Sequence, residues 1–216
     1  MEVMAMSILR ICLIGDERTN ASGTAFGWFG SLCRAERACG NRVLPFDLTI
    51  PGDTTPMISE RWRGECERRF IPGSPGGLIF TFGASDMSER AGEGIRVGLQ
   101  DTLANAEKIL GSALSWRPTL WIGPAPDISS ACRNDRIAGL NAAFQRLATD
   151  LKAPYLDLFS LLPTDKRWSS ARRTGEIPGI IAEKIRYWQS WRRMMAYGEI
   201  GVHGILKTLP LKTVAA

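Results

Sequence analysis

The sequence predicts a three-layer α/β/α sandwich around a mostly parallel sheet of about five strands. Three observations carry this expectation. Short apolar segments of strand character alternate with longer segments of helical periodicity. The strand-like segments are mostly apolar, as strands covered by helices on both faces are. Four segment ends carry a glycine followed by small, acidic or proline residues: Gly15-Asp16-Glu17, Gly52-Asp53-Thr54, Gly83-Ala84-Ser85-Asp86 and Gly123-Pro124-Ala125-Pro126. One glycine–acid pair is ordinary turn chemistry, but four in register define a rim.

Leu9–Ile14 is the first strand and ends at Gly15. Trp28–Ala38 has helical spacing and stops before Gly40, a helix-ending glycine. Arg42–Leu48 is a weaker strand, and Pro45, which lacks an N–H for the ladder, puts it at a sheet edge. Thr54 or Thr55 caps a helix reaching about Arg69, with Pro56 in its first turn. Leu78–Phe82 is a strand closed by Gly83, and Val97–Leu114 is a helix. Thr119–Ile122 is the fourth strand. Asn134–Leu151 places Ile137, Leu140, Phe144, Leu147 and Leu151 on one side of a helix. Tyr155–Phe159 is the fifth strand, and Gly179–Met195 the last helix, with Trp188 and Trp191 on its inner face. Pro72–Gly77 and Ser88–Gly98, rich in Gly, Pro and charge, read as surface loops. Residues 1–197 are expected to form one domain and 198–216 a C-terminal tail.

Composition bounds the function classes. The formal net charge is +5, and residues 165–193 hold eight Lys or Arg against three acids, which equals that excess. Such a run is either a solvated face or a basic surface for an acidic partner, which leaves open a non-catalytic interaction module. No zinc-finger spacing or aromatic-plus-basic signature supports nucleic acid as a partner. The five cysteines, Cys12, Cys33, Cys39, Cys66 and Cys132, are odd in number and form no C-x-x-C pair, which argues against a disulfide framework. A single histidine excludes a His-rich metal site, and no metal or other cofactor is expected. No apolar run reaches membrane-spanning length, and the first fifteen residues lack a basic start and a small-residue cleavage site. A cytoplasmic location is expected.

In an open parallel sheet, ligands bind beyond the carboxyl ends of the strands. That rim is where the sequence resembles the SGNH hydrolases, also called the GDSL esterase/lipase family. Ile11-Cys12-Leu13-Ile14-Gly15-Asp16-Glu17 resembles the family's first block, with Asn20 and Gly23 fitting its continuation. Ile50-Pro51-Gly52-Asp53-Thr54-Thr55 is similar to the second, and Thr81-Phe82-Gly83-Ala84-Ser85-Asp86 to the third, normally Gly-x-Asn-Asp. Ile122–Pro126 and Pro154–Phe159 match family strands four and five, and the Trp-x-x-Trp helix matches one subset. The resemblance spans roughly residues 8–193. It implies a flavodoxin-like SGNH hydrolase fold, acyl-ester hydrolysis and a small-molecule ester or acyl- or glycan-like ligand, with no membrane span. It does not give the oligomeric state.

The family's catalytic set is Ser, Gly, Asn and His. By position this chain offers Glu17 at the nucleophile, Gly52 and Ser85 at the oxyanion donors, and no histidine. The final block, normally Asp-Gly-x-His-Pro, is matched by Thr174-Gly175-Glu176-Ile177-Pro178. His203, in Ile200-Gly201-Val202-His203-Gly204, follows the last helix instead of preceding it. A carboxylate attacks an ester poorly, and an anion there repels a developing oxyanion. Ser85 can donate one hydrogen bond in place of the asparagine amide, with a shorter reach, and losing one oxyanion donor costs about 3 kcal/mol of transition-state stabilisation. Hydrolysis by the family's mechanism is therefore expected to be lost or weak. Glu17 remains open as a helix-start acid, a general base or a cation ligand. Asp16, Asp53 and Asp86 are candidate binding carboxylates on the rim with Asn20, or else turn and capping groups. Trp28 and Trp168 are candidate lining residues for an apolar pocket.

Overall fold

The computed structural model describes residues 8–16, 27–90, 92–127, 129–168, 170 and 177–200. The sheet is built from β1 (Leu9–Gly15), β2 (Val43–Asp47), β3 (Gly76–Thr81), β6 (Thr119–Ile122) and β7 (Tyr155–Leu156). Their order is β2-β1-β3-β6-β7, and every pairing is parallel. Growth of the sheet changes direction between β1 and β3, which opens a crevice at their carboxyl ends. The proline-bearing β2 is an edge strand, as Pro45 implies.

Alternate residues of each strand enter opposite core layers, which explains the apolar runs. Leu9, Ile11 and Leu13 of β1 pack with α1 (Gly27–Ala38) and with α6 (Ile177–Tyr187) and α7 (Gln189–Ile200). Cys12 and Ile14 face the other layer, formed by α2 (Thr55–Glu67), α3 (Leu99–Trp116) and α4 (Ala131–Leu151). Trp28 and Trp168 are buried in the first of these layers and contribute to the core. Ile137, Leu140 and Phe144 are buried as the helical spacing predicts, with Leu147 and Leu151 packed at the margin.

Several boundaries differ from expectation. Strand β3 starts at Gly76, inside the segment read as a loop. Those glycines serve close packing: a Cβ on Gly77 would lie 2.7 Å from Met194 Sδ, and one on Gly76 2.7 Å from the Phe70 ring. The segment Ser88–Gly98 contains a small exposed antiparallel ribbon, β4 (Glu89–Arg90) with β5 (Gly94–Ile95). The fifth strand ends at Leu156, because Asp157 accepts a hydrogen bond from Ser160 N at 2.9 Å and caps α5 (Leu158–Leu161). The last helix is two, divided at Trp188. This division accompanies the burial of Trp191, whose indole N–H donates to Glu36 Oε1 at 2.9 Å, while Trp188 stays half-buried.

All five cysteines are free thiols. Burial pushes the Cys33 thiol up to about 12. Cys66 is raised by its hydrogen bond to Cys12 and by burial. These thiols are core groups, uncharged at neutral pH. Within the basic 165–193 segment, Arg167 pairs with Asp165 and Glu183, Lys184 with Asp165, and Arg186 with Glu36. Arg172 and Arg173 lie outside the described residues. Among the described residues no helix is long and apolar enough to cross a membrane.

Candidate active site

Three of the four glycine-marked strand ends meet at Asp16. Its backbone N–H donates to Thr81 O at 3.1 Å, and its carbonyl accepts from Gly52 N at 3.1 Å. Its carboxylate Oδ2 accepts from Gly83 N at 3.0 Å and Ser85 N at 2.7 Å. One nearly buried residue thus ties the ends of β1 and β3 to the loop after β2. The approach of β1 to β3 requires glycine at position 15, where a Cβ would lie 1.9 Å from Thr81 O. Gly83 has φ +105°, and a Cβ there would meet Leu140 and Phe144 at 2.9 Å. The bend after β3 can therefore form only around a bare backbone.

Gly52 is exposed at φ +86°, with its N–H directed at the Asp16 carbonyl. Ser85 is 8% exposed, and its hydroxyl makes no hydrogen bond among the described residues. Asp53 pairs with Arg61 at 2.6 Å, which ties it to α2. Asp86 is fully buried and accepts from Thr55 N at 2.9 Å, Thr55 Oγ1 at 2.6 Å and Thr102 Oγ1 at 2.8 Å. Burial holds its carboxyl above the usual carboxylate range, against the opposing pull of the Thr55 and Thr102 hydrogen bonds and of Arg96. Asp53 and Asp86 thus act within the fold, fastening α2 and α3 to the rim. Glu17, Asn20 and His203 lie outside the described residues. Among the described residues no group of three His, Cys, Asp or Glu side chains is placed to hold a metal ion.

Arginines surround the loop after β3, and sequence analysis did not single them out. Arg133 Nη2 donates to Ala84 O at 3.0 Å while Nη1 pairs with Asp127 at 2.7 Å. Burial pushes Asp127 up, but hydrogen bonds from Ser129 and the charge and hydrogen bond of Arg133 outweigh it, leaving the carboxyl below its usual range. Arg136 Nε donates to Met87 O at 3.1 Å, and Arg96 Nη1 to Gly52 O at 2.7 Å. The one signal available was position, since Arg133 and Arg136 open the helix that follows Gly123-Pro124-Ala125-Pro126.

A model of the GDSL-like lipase/acylhydrolase family matches residues 13–176, from within the first block through the second and third. The chain belongs to the GDSL-like lipase/acylhydrolase family. No curated protein matches it in sequence. Solved structures of similar fold include the lipase/acylhydrolase from Enterococcus faecalis, at 20% identity and TM-score 0.64 over 83% of this chain and 96% of that one. TesA aligns at 15% identity and TM-score 0.65, over 86% and 99% of the two chains. Axe2, an acetylxylan esterase from Geobacillus stearothermophilus, aligns at 13% identity and TM-score 0.60, over 90% and 97%. At these identities the likeness shows the shared GDSL-family fold, with its five-stranded parallel sheet between helical layers.

Proposed function

We propose that this GDSL-family protein has lost the ordinary serine-hydrolase mechanism and keeps its rim as a binding site for a small ester or an acyl- or glycan-like ligand. The observation that carries this is Glu17, which directly follows Asp16 where the family motif has its serine. A carboxylate there is a weak nucleophile toward an ester and disfavours an oxyanion. The stretch Thr174–Pro178 has no histidine to act as base, and His203 comes after the last helix. Engagement of the Gly52 N–H by the Asp16 carbonyl supports the same view, because an oxyanion donor must be available to the developing charge. Residues 1–197 act as one domain in this proposal, and the five free thiols favour a reducing, cytoplasmic setting.

Hydrolysis of p-nitrophenyl acetate by wild type beside Glu17→Gln tests the proposal. No turnover above background is expected from either protein. A second reading makes Glu17 a general base with Ser85 stabilising negative charge, and it draws on the Ser85 hydroxyl, which has no partner among the described residues. Turnover in wild type that disappears in Glu17→Gln would establish that second chemistry and overturn the first.

A further inference from the structure

Arg96 stands apart from the other arginines of the rim. Arg61, Arg90, Arg133 and Arg136 are each matched by a carboxylate, from Asp53, Glu93, Asp127 and Glu89 respectively. Arg96 makes no ion pair among the described residues, and a single guanidinium N–H is engaged, by Gly52 O at 2.7 Å. Its position is nonetheless fixed. Arg96 N donates to Ser88 O at 3.0 Å and Val97 N to Asp86 O at 3.2 Å, which fastens the residue to the loop that carries Ser85. The buried Asp86 carboxyl, on which Arg96 exerts a weak pull, is already committed to Thr55 and Thr102. A guanidinium has five donors in a planar fork that matches carboxylate and phosphate oxygens. Most of that fork remains available beside Gly52.

Apolar side chains stay exposed in the same segments. Ile95 and Leu99 flank Arg96 at 41% and 37% exposure, Ile50 precedes Gly52 at 44%, and Met57 lies in the first turn of α2 at 47%. These are four of the eight exposed large apolar side chains among the described residues, and each lies within five residues of Arg96 or of its partner Gly52 along the chain.

We propose that Arg96 is the specificity-determining residue of this rim and that its ligand is a small amphiphilic anion. A carboxylate or phosphate group pairs with the Arg96 guanidinium, and a short alkyl chain lies on Ile50, Met57, Ile95 and Leu99. The proposal rests on the ligand-binding function stated above. Titration calorimetry of the full chain with hexanoate, hexyl phosphate and hexanamide tests it, using wild type, Arg96→Gln and Arg96→Lys. Gln keeps a donor for the Gly52 carbonyl, and an unchanged unfolding midpoint verifies that the rim is intact. The two anions should bind at least about tenfold more tightly than the neutral amide, as expected for charge-assisted hydrogen bonds. Arg96→Gln should remove that preference while leaving hexanamide unchanged, and Arg96→Lys should restore part of it. The stronger of hexanoate and hexyl phosphate identifies the head group. Equal binding of hexanamide and the anions, or an equal loss of all three in Arg96→Gln, would overturn the anion claim and leave the ligand-binding function standing. Binding of none of the three would overturn both.

Discussion

At the residue scale, the rim depends on single groups with several partners. Asp16→Ala leaves the buried Gly83 and Ser85 N–H groups without their acceptor. A loss of about 2–4 kcal/mol is expected in urea unfolding, since each orphaned buried N–H costs about 1–3 kcal/mol. A change below about 1 kcal/mol would show that the carboxylate does not hold the loop after β3. Gly83→Ala combines a positive φ with a close approach to Leu140 and Phe144, and should cost about 2 kcal/mol or more in the same measurement. Asp86 brings a pH dependence. Its carboxyl is held above the ordinary value of 3.8, chiefly by burial. A raised carboxyl favours the protonated form in the fold, so its stabilising contribution is complete below the unfolded-state pKa and declines as pH rises through the folded value. Asp86→Asn should therefore flatten the stability curve from about pH 4 upward, and parallel curves for the two proteins would contradict this. The placement of Asp16, Gly52 and Ser85 at the carboxyl ends of the strands was legible in the sequence because each follows a recognisable strand end. Arg96 was not, because a lone arginine in a polar segment carries no pattern and its partner Gly52 lies 44 residues away.

At the scale of elements, the fold fastens helix ends to the rim by contacts distant in sequence. Helix α2 is an example. Thr54 holds the N-cap position without a side-chain capping bond, whereas Thr55 donates both N–H and hydroxyl to Asp86. Thr55→Val should cost about 1–2 kcal/mol by thermal or urea unfolding, and Thr54→Ala distinctly less. The reverse order would show that the start of the helix depends on Thr54 and not on the Thr55–Asp86 bonds. The sequence narrows the helix start to two threonines, but that the side-chain bonding falls to Thr55 depends on a carboxylate 31 residues away. The fifth strand was overextended for a related reason. Tyr155-Leu156-Asp157-Leu158-Phe159 reads as a short, mostly apolar strand, yet Asp157 also caps α5 and accepts from Asn141 Nδ2 at 3.0 Å. A local apolar run does not register such a distant bond. Gly76 and Gly77 were misread in the same way, since glycine marks both turns and sites of close packing.

At the scale of the whole molecule, strand number, parallel pairing and two covering layers followed from the alternation of short apolar segments with helices. The location of the rim followed too, because parallel strands gather their carboxyl ends on one side. Chemistry is the part that the fold does not decide: the GDSL-like frame is present, while the residue after Asp16 is Glu17, which the proposed function takes as the replacement of the family's serine. Intact-mass spectrometry after incubation with a serine-directed fluorophosphonate tests that separation of fold from mechanism most directly. The protein should keep its unmodified mass under conditions that label an active serine hydrolase completely. A stoichiometric adduct, above all one mapped to Ser85, would contradict the loss of the serine mechanism.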